Sequence, residues 1–374
     1  MTADMLQPTP ARIVEGERVH EGWFERPFVD ANLEQAPSRH LLSGLRGGPL
    51  GVLERPFRRM RLKQWHYTSV VTDDVFFACA IVDAGYVGTA FAYVVDLRTG
   101  RCIEYTTLRP LAQQVVVAAN SIDGRTSIEQ RGWGQIWLDN DGERGIRTIE
   151  AHLEGRLDPN DPAPPLHVRF TIEDPGHDPD PVVVVERSAP GLWLYTHKCY
   201  GLRARGRVEV GELRVEVTHG LAGLDYNRGY RPRETWWNWA AAAGRSPQGR
   251  RLGFNLTVHR PWDQSAPPEA SDAADCALWM EGNQGITRTK LARVDFAYDP
   301  GDILGPWRIT EPEGRVDLRF SPLGQRVDDV DFGLVASQFH QPYGWFSGRL
   351  RADDGSEIEL ERVFGVTEQH YAKW

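Results

Sequence analysis

Between Trp65 and Thr107 the chain alternates short aromatic and β-branched runs with turn-forming residues. Trp65 to Val71 and Val75 to Val82 flank Asp73-Asp74. Asp83-Ala84-Gly85 precedes Tyr86 to Val95, and Arg98-Thr99-Gly100 precedes Arg101 to Thr107. β-Branched and aromatic side chains suit a pleated, half-buried surface, and Gly and Asp supply the turns. Even spacing of this kind predicts a meander barrel or sandwich. The habit returns further on, where Arg207 to Val210 and Leu213 to Thr218 flank Gly211-Glu212 as a compact hairpin. Thr235 to Ala241, Arg251 to His259, Thr287 to Phe296 and Glu357 to Val366 read the same way. No apolar stripe of helical period exceeds three turns. The expected fold class is therefore all-β with little helix, and roughly eight to ten strands per half if each half closes into a small barrel.

The chain has 374 residues, which is long for one core. The reading is an N-terminal arm over 1–54, a first barrel-like domain over 55–200 and a second over 201–374. Arg46 to Pro49 reads as a loop in the arm, and Trp23, Phe24 and Phe28 argue that part of the arm packs on the body. From about Arg55 the chain reads as strands.

The formal net charge of −9 excludes a surface built to track phosphates, so no nucleic-acid partner is expected. The N-terminus has no apolar signal core, and no run is apolar enough for a transmembrane segment. A cytoplasmic location is expected. The four cysteines are scattered without a CxxC, which argues against a zinc site or disulfide framework. His259 and His340 lie far apart and no HExxH is present, so no metal is expected. No GxGxxG or GxxxxGK[ST] occurs, so no nucleotide cofactor is expected, and no GxSxG marks a hydrolase elbow.

The densest chemistry lies in His219 to Gly244. This segment holds Asp225 between Gly223 and Gly229, then Arg228, Arg231 and Arg233, then Trp236, Trp237 and Trp239. In a strand, Trp237 and Trp239 share one face, while Trp236 and Asn238 take the other. Indoles beside a single carboxyl form a wall for an apolar ligand, and a carboxyl against such a wall is desolvated and becomes a proton donor. The plainer reading is that the tryptophans fill a core and that Asp225 is a turn residue paired with Arg228. His197 ends a strand, either as a structural residue or at a barrel mouth. Gln341 to Gly344 reads as a turn into an aromatic strand, with Tyr343 as packing or pocket rim.

These pieces resemble a bacterial family known by a domain-of-unknown-function label, over about Arg58 to Trp374. They include Arg61-Leu62-Lys63-Gln64-Trp65, Thr196-His197-Lys198, Leu224 to Gly229, Trp237-Asn238-Trp239-Ala240 and Phe364 to Glu368. More distantly, Asp225, Asn227, Gly229, Trp237 and Trp239 resemble a segment of lipocalin-like two-domain proteins. That superfamily includes carotenoid hydratases, AttH-type proteins and some fungal cyclases. The resemblance implies a tandem calycin fold around an apolar ligand, with Asp225 as the acid that protonates an alkene. The Arg-rich stretch Arg228 to Arg233 departs from the hydratase pattern.

The expected site is therefore Asp225 as catalytic acid. Tyr226, Asn227, Arg228, Trp236, Trp237, Trp239, His197 and Tyr343 are expected to bind the substrate. The expected function is binding of an isoprenoid, lipid or polyketide-like molecule and acid-catalysed hydration, isomerisation or cyclisation. The alternatives are a non-catalytic lipid or pigment carrier, and an interaction module without ligand.

Overall fold

A computed structural model of the protein describes residues 6–37, 44, 51–156, 162–260, 275–283, 285–331 and 333–374. Arg46 to Pro49 lie outside these. Strands hold 65% of the chain and helix 4%, so the all-β expectation holds. The strands form two large sheets in tandem, one curled into a nearly closed barrel and the other into a half-barrel.

Among the described residues the first sheet has 13 strands. Its centre runs through Val87–Asp96, Val75–Asp83, Leu62–Val71, Leu213–Tyr230, Leu192–Val210 and Leu166–Glu173. Val182–Ala189 branches from Leu192–Val210 and pairs on its far side with Gly22–Trp23 of the N-terminal arm. The second sheet has 9 strands among the described residues, centred on Arg251–Arg260, Glu234–Arg245, Glu357–Lys373 and Ala336–Arg351. Residue 200 falls inside Leu192–Val210, and the chain changes sheet only at 231–233. The hairpin at Gly211-Glu212 belongs to the first sheet, which gains Leu213–Tyr230 from beyond residue 200 and Gly22–Trp23 from the arm.

Leu192–Val210 spans 19 residues because two bulges let it bend, one between Tyr200 and Leu202 and one between Ala204 and Gly206. Gly201 and Gly206 take φ of +89° and +148° at these points, values that side chains disfavour.

Two sequence expectations are corrected. Residues Gly51–Arg61 are a helix, not the start of a strand. Glu54 pairs with Arg58 one turn on, at 3.3 Å, and the arginines of the last turn complement the helix dipole. Pro56 and the dense charge hide the helical period. Gln341 to Gly344 is no turn but lies within Ala336–Arg351, whose pairing with Glu357–Lys373 is interrupted at Gln341 and Pro342, where the proline has no N–H to donate.

Alternation along the strands sends side chains to three cores. Phe77, Cys79, Ile81, Val168 and Tyr195 fill the first sheet together with Phe24, Phe28 and Leu33 from the arm. Leu252, Phe254, Leu278, Trp307 and Phe346 fill the second. Between the sheets lies a third core of Phe76, Tyr93, Tyr200, Trp239, Trp279 and Phe364. Among the described residues no helix is long and apolar enough to cross a membrane.

Candidate functional site

The third core is incompletely filled, and the cause lies in the strand register. On Leu213–Tyr230, Asp225 stands opposite Lys198 on one side and Tyr67 on the other. Tyr67 stands opposite Ala80, which stands opposite Phe91. One row of side chains therefore crosses five strands on the face turned to the second sheet. The next row is Thr196, Asn227, Trp65 and Val82. Trp237 and Trp239 face these rows from Glu234–Arg245, flanked by His259 and Thr257 on one strand and His370 and Glu368 on the other. A cavity of about 120 Å³ lies between the two walls. A second, more apolar cavity of about 390 Å³ adjoins it and shares Val82, Phe91, Phe339, His370 and Trp374. At about 4.8 Å per strand, the row from Phe91 to Asp225 measures roughly 14 Å.

Lys198, Asp225 and Asp275 close the inner end, and each is at most 6% exposed. The Lys198 ammonium lies 2.9 Å from a carboxylate oxygen of Asp225 and 2.9 Å from one of Asp275. Burial disfavours the charged lysine, but the two carboxylates outweigh it and hold the ammonium protonated above its usual range. Two acids share one cation, and they divide. Burial also raises Asp275, yet Lys198 and His259 pull it below the ordinary carboxylate range. Asp225 ends above that range, because burial exceeds the pull of Lys198 and the charges of Asp275 and Glu368 add to the rise. Asn227 Nδ2 donates to Asp225 Oδ1 and holds its orientation.

The indole N–H groups are already satisfied. Trp237 Nε1 donates to Glu368 at 2.7 Å and Trp239 Nε1 to Asn255 at 2.7 Å. Glu368 also accepts from Gln341, whose own oxygen accepts from the Tyr93 hydroxyl. The tryptophans are thereby fixed, and what they lend to the cavity is ring surface. Tyr67 meets Trp239 edge-on with centroids 5.3 Å apart, and Trp65 stacks with Trp237 at 6.3 Å.

Asp225, Asn227, Trp237 and Trp239 thus converge on the cavity. The other expected binding residues stand elsewhere, chiefly because alternation turns them away. His197 and Tyr226 point into the first core, where His197 Nδ1 meets Ser121 Oγ at 2.8 Å and Tyr226 donates to Ala118 O at 2.8 Å. Burial drops the His197 pKa to about 3. Arg228 is not the partner of Asp225: it donates to Gln64 and, at 3.0 Å, to Glu34. Trp236 lies outside the cavity lining, and Tyr343 packs on Tyr93 and Phe364 in the inter-sheet core.

Sequence reasoning missed Lys198 as the partner of Asp225, and also Asp275, Glu186, Glu368 and Arg231, all of which line the cavity. A lysine in a chain with only four (Lys63, Lys198, Lys290, Lys373) was the available signal for the first. Glu186 is partly buried, and burial together with Asp275 pushes it up to about 7. Arg231 lies with its guanidinium 4.6 Å from the Trp65 ring and 5.4 Å from the Trp237 ring.

Residues 6–374 match a family described as a domain of unknown function (DUF2804). The chain belongs to that family. Solved structures similar to this DUF2804 chain include the following two. One is a Nitrosomonas europaea protein provisionally assigned as AttH, with 12% identity and a TM-score of 0.48, covering 83% of this chain and 92% of the other. The second is kievitone hydratase from Nectria haematococca, with 9% identity and a TM-score of 0.42, covering 83% and 88%. No curated protein matches the DUF2804 chain in sequence.

Proposed function

We propose that the cleft between the sheets binds a largely apolar small molecule and that Asp225 protonates it. The observation that carries this reading is the position of Asp225. Its buried carboxyl lies at the end of an aromatic-walled cavity, beside a lysine whose charge Asp275 already balances. A carboxyl raised by burial is a proton donor nearer neutral pH than an exposed one. Transfer to an alkene carbon or a carbonyl oxygen leaves a cation on the ligand and a carboxylate on Asp225. The ring faces of Tyr67, Trp237 and Trp239 favour the cation. Lys198 and Asn227 are in place to hold the carboxylate. Hydration ends when water adds to the cation and returns a proton to Asp225, and isomerisation or cyclisation ends on proton loss from the ligand.

The test begins with mass spectrometry of organic extracts from purified protein, to identify a copurifying compound. That compound is then incubated with wild type and Asp225→Asn in deuterated water. Deuterium in a carbon-bound position, or added D₂O, is expected with wild type and not with the variant. Binding without label by wild type would leave a carrier, the reading that the Lys198–Asp225 ion pair favours.

A further inference from the structure

Arg231 is 5% exposed and lines the cavity, yet its guanidinium makes no hydrogen bond or ion pair among the described residues. Buried guanidinium groups are costly to desolvate and are normally bonded to a carboxylate or carbonyl. The neighbouring arginines are bonded: Arg228 donates to Glu34 and Gln64, and Arg61 to the Arg231 carbonyl. The ring faces of Trp65 and Trp237 flank the Arg231 fork. Its charge is felt by Glu186, Asp275 and Asp225, and by His259 on the second sheet, but none of these reaches it.

We infer that Arg231 binds a carboxylate of the ligand, so the molecule taken up is an amphipathic acid: an apolar body with one planar, singly charged head. The inference deepens the proposed function and rests on its reading of the cleft as a ligand site. A fork of N–H donors matches a carboxylate in two parallel bonds. The acids around the cavity oppose a doubly charged phosphate more than a monoanion. The apolar body has room along the row toward Phe91 and into the adjoining cavity lined by Tyr86, Val87, Leu108 and Val330. Burial lowers the Arg231 pKa to about 10, and the head group remains cationic at neutral pH. Glu186, held protonated on the acid side of its titration, leaves that charge free for the ligand.

The test uses 2-naphthoate and its uncharged isostere 2-naphthamide, titrated calorimetrically into wild type, Arg231→Gln and Arg231→Lys at mildly acidic pH. Wild type is expected to bind the acid about tenfold or more tighter than the amide, as a charge-assisted bidentate pair allows. Arg231→Gln should bind both alike, and Arg231→Lys should keep part of the preference. Equal binding of acid and amide by wild type, or a preference that survives in Arg231→Gln, overturns the assignment and leaves the cleft standing. No binding of either probe overturns the cleft as a ligand site as well. Arg231→Gln should melt no lower than wild type. A variant that melts lower or does not fold would make Arg231 a structural residue and overturn the inference.

Discussion

The Lys198 ammonium stands 2.9 Å from the carboxylate of Asp225, its direct neighbour across the strand pair, and among the described residues no arginine makes an ion pair with that carboxylate. Asp275 reaches the same nitrogen from the turn before strand Ala277–Gly282 of the second sheet, so the pair is a trio with more acid than base. The trio decides how each member responds to substitution.

Asp225→Asn should be neutral or stabilising at neutral pH, within about 1 kcal/mol, because Lys198 keeps Asp275. Asp225 has a raised folded pKa. Its contribution to stability is complete below the ordinary carboxylate value and is lost as pH rises through the folded value. The variant should therefore gain on wild type from acid to neutral pH. Lys198→Met leaves two buried acids without a cation and should cost about 3–5 kcal/mol. Denaturant melts of the three proteins check the order, and an Asp225→Asn loss as large as that of Lys198→Met would make Asp225 a structural partner.

Trp237→Phe and Trp239→Phe should each reduce the quenching of tryptophan fluorescence by 2-naphthamide and weaken its binding. Each also strips a buried acceptor, Glu368 or Asn255, of its donor and should cost about 1–3 kcal/mol. Unchanged quenching and affinity in both variants would place the ligand elsewhere.

Glu186 sets a pH window. Its folded pKa of about 7 lies above its ordinary value of 4.5, so the stability it contributes is complete below 4.5 and falls as pH rises to about 7. Glu186→Gln removes that slope. Melting temperatures of the two proteins measured across the window should converge at the acid end and separate in favour of the variant toward neutral pH. Parallel curves would mean that Glu186 is already ionised.

Tyr226→Phe tests the faces assigned by alternation. It leaves the Ala118 carbonyl without its donor in the first core and should cost about 1–3 kcal/mol. Affinity for 2-naphthamide, measured by calorimetry, should not change. A loss of affinity comparable to that of the tryptophan variants would put Tyr226 in the cleft.

The sequence alone settled the β class and the sides of its densest strand. Ala240 to Ala243 is the best helix-forming stretch in the chain, yet it lies in strand Glu234–Arg245, as the preceding tryptophans indicate. The two-residue period placed Trp237 and Trp239 on one face and Asn238 on the other, because alternation is local geometry. The same rule, applied to Asp225, would have turned Tyr226 and Arg228 away from the acid and kept Asn227 beside it.

Tertiary structure decided which charges meet. Lys198 and Asp225 face each other through the hairpin at Gly211-Glu212, whose two bulges offset each other in register, but short windows of sequence do not show that both strands run on unbroken past those bulges. Leu62–Val71 joins Leu213–Tyr230 across about 150 residues of chain, which brings Trp65 and Tyr67 beside Asn227 and Asp225. Asp275 and the Trp237 ring arrive only when the second sheet packs on the first. Such contacts follow from burying two apolar faces against each other, a non-directional force that no short window of sequence encodes. The fork of Arg231 is of the same kind, since only the packed cleft reveals an arginine that no side chain among the described residues bonds.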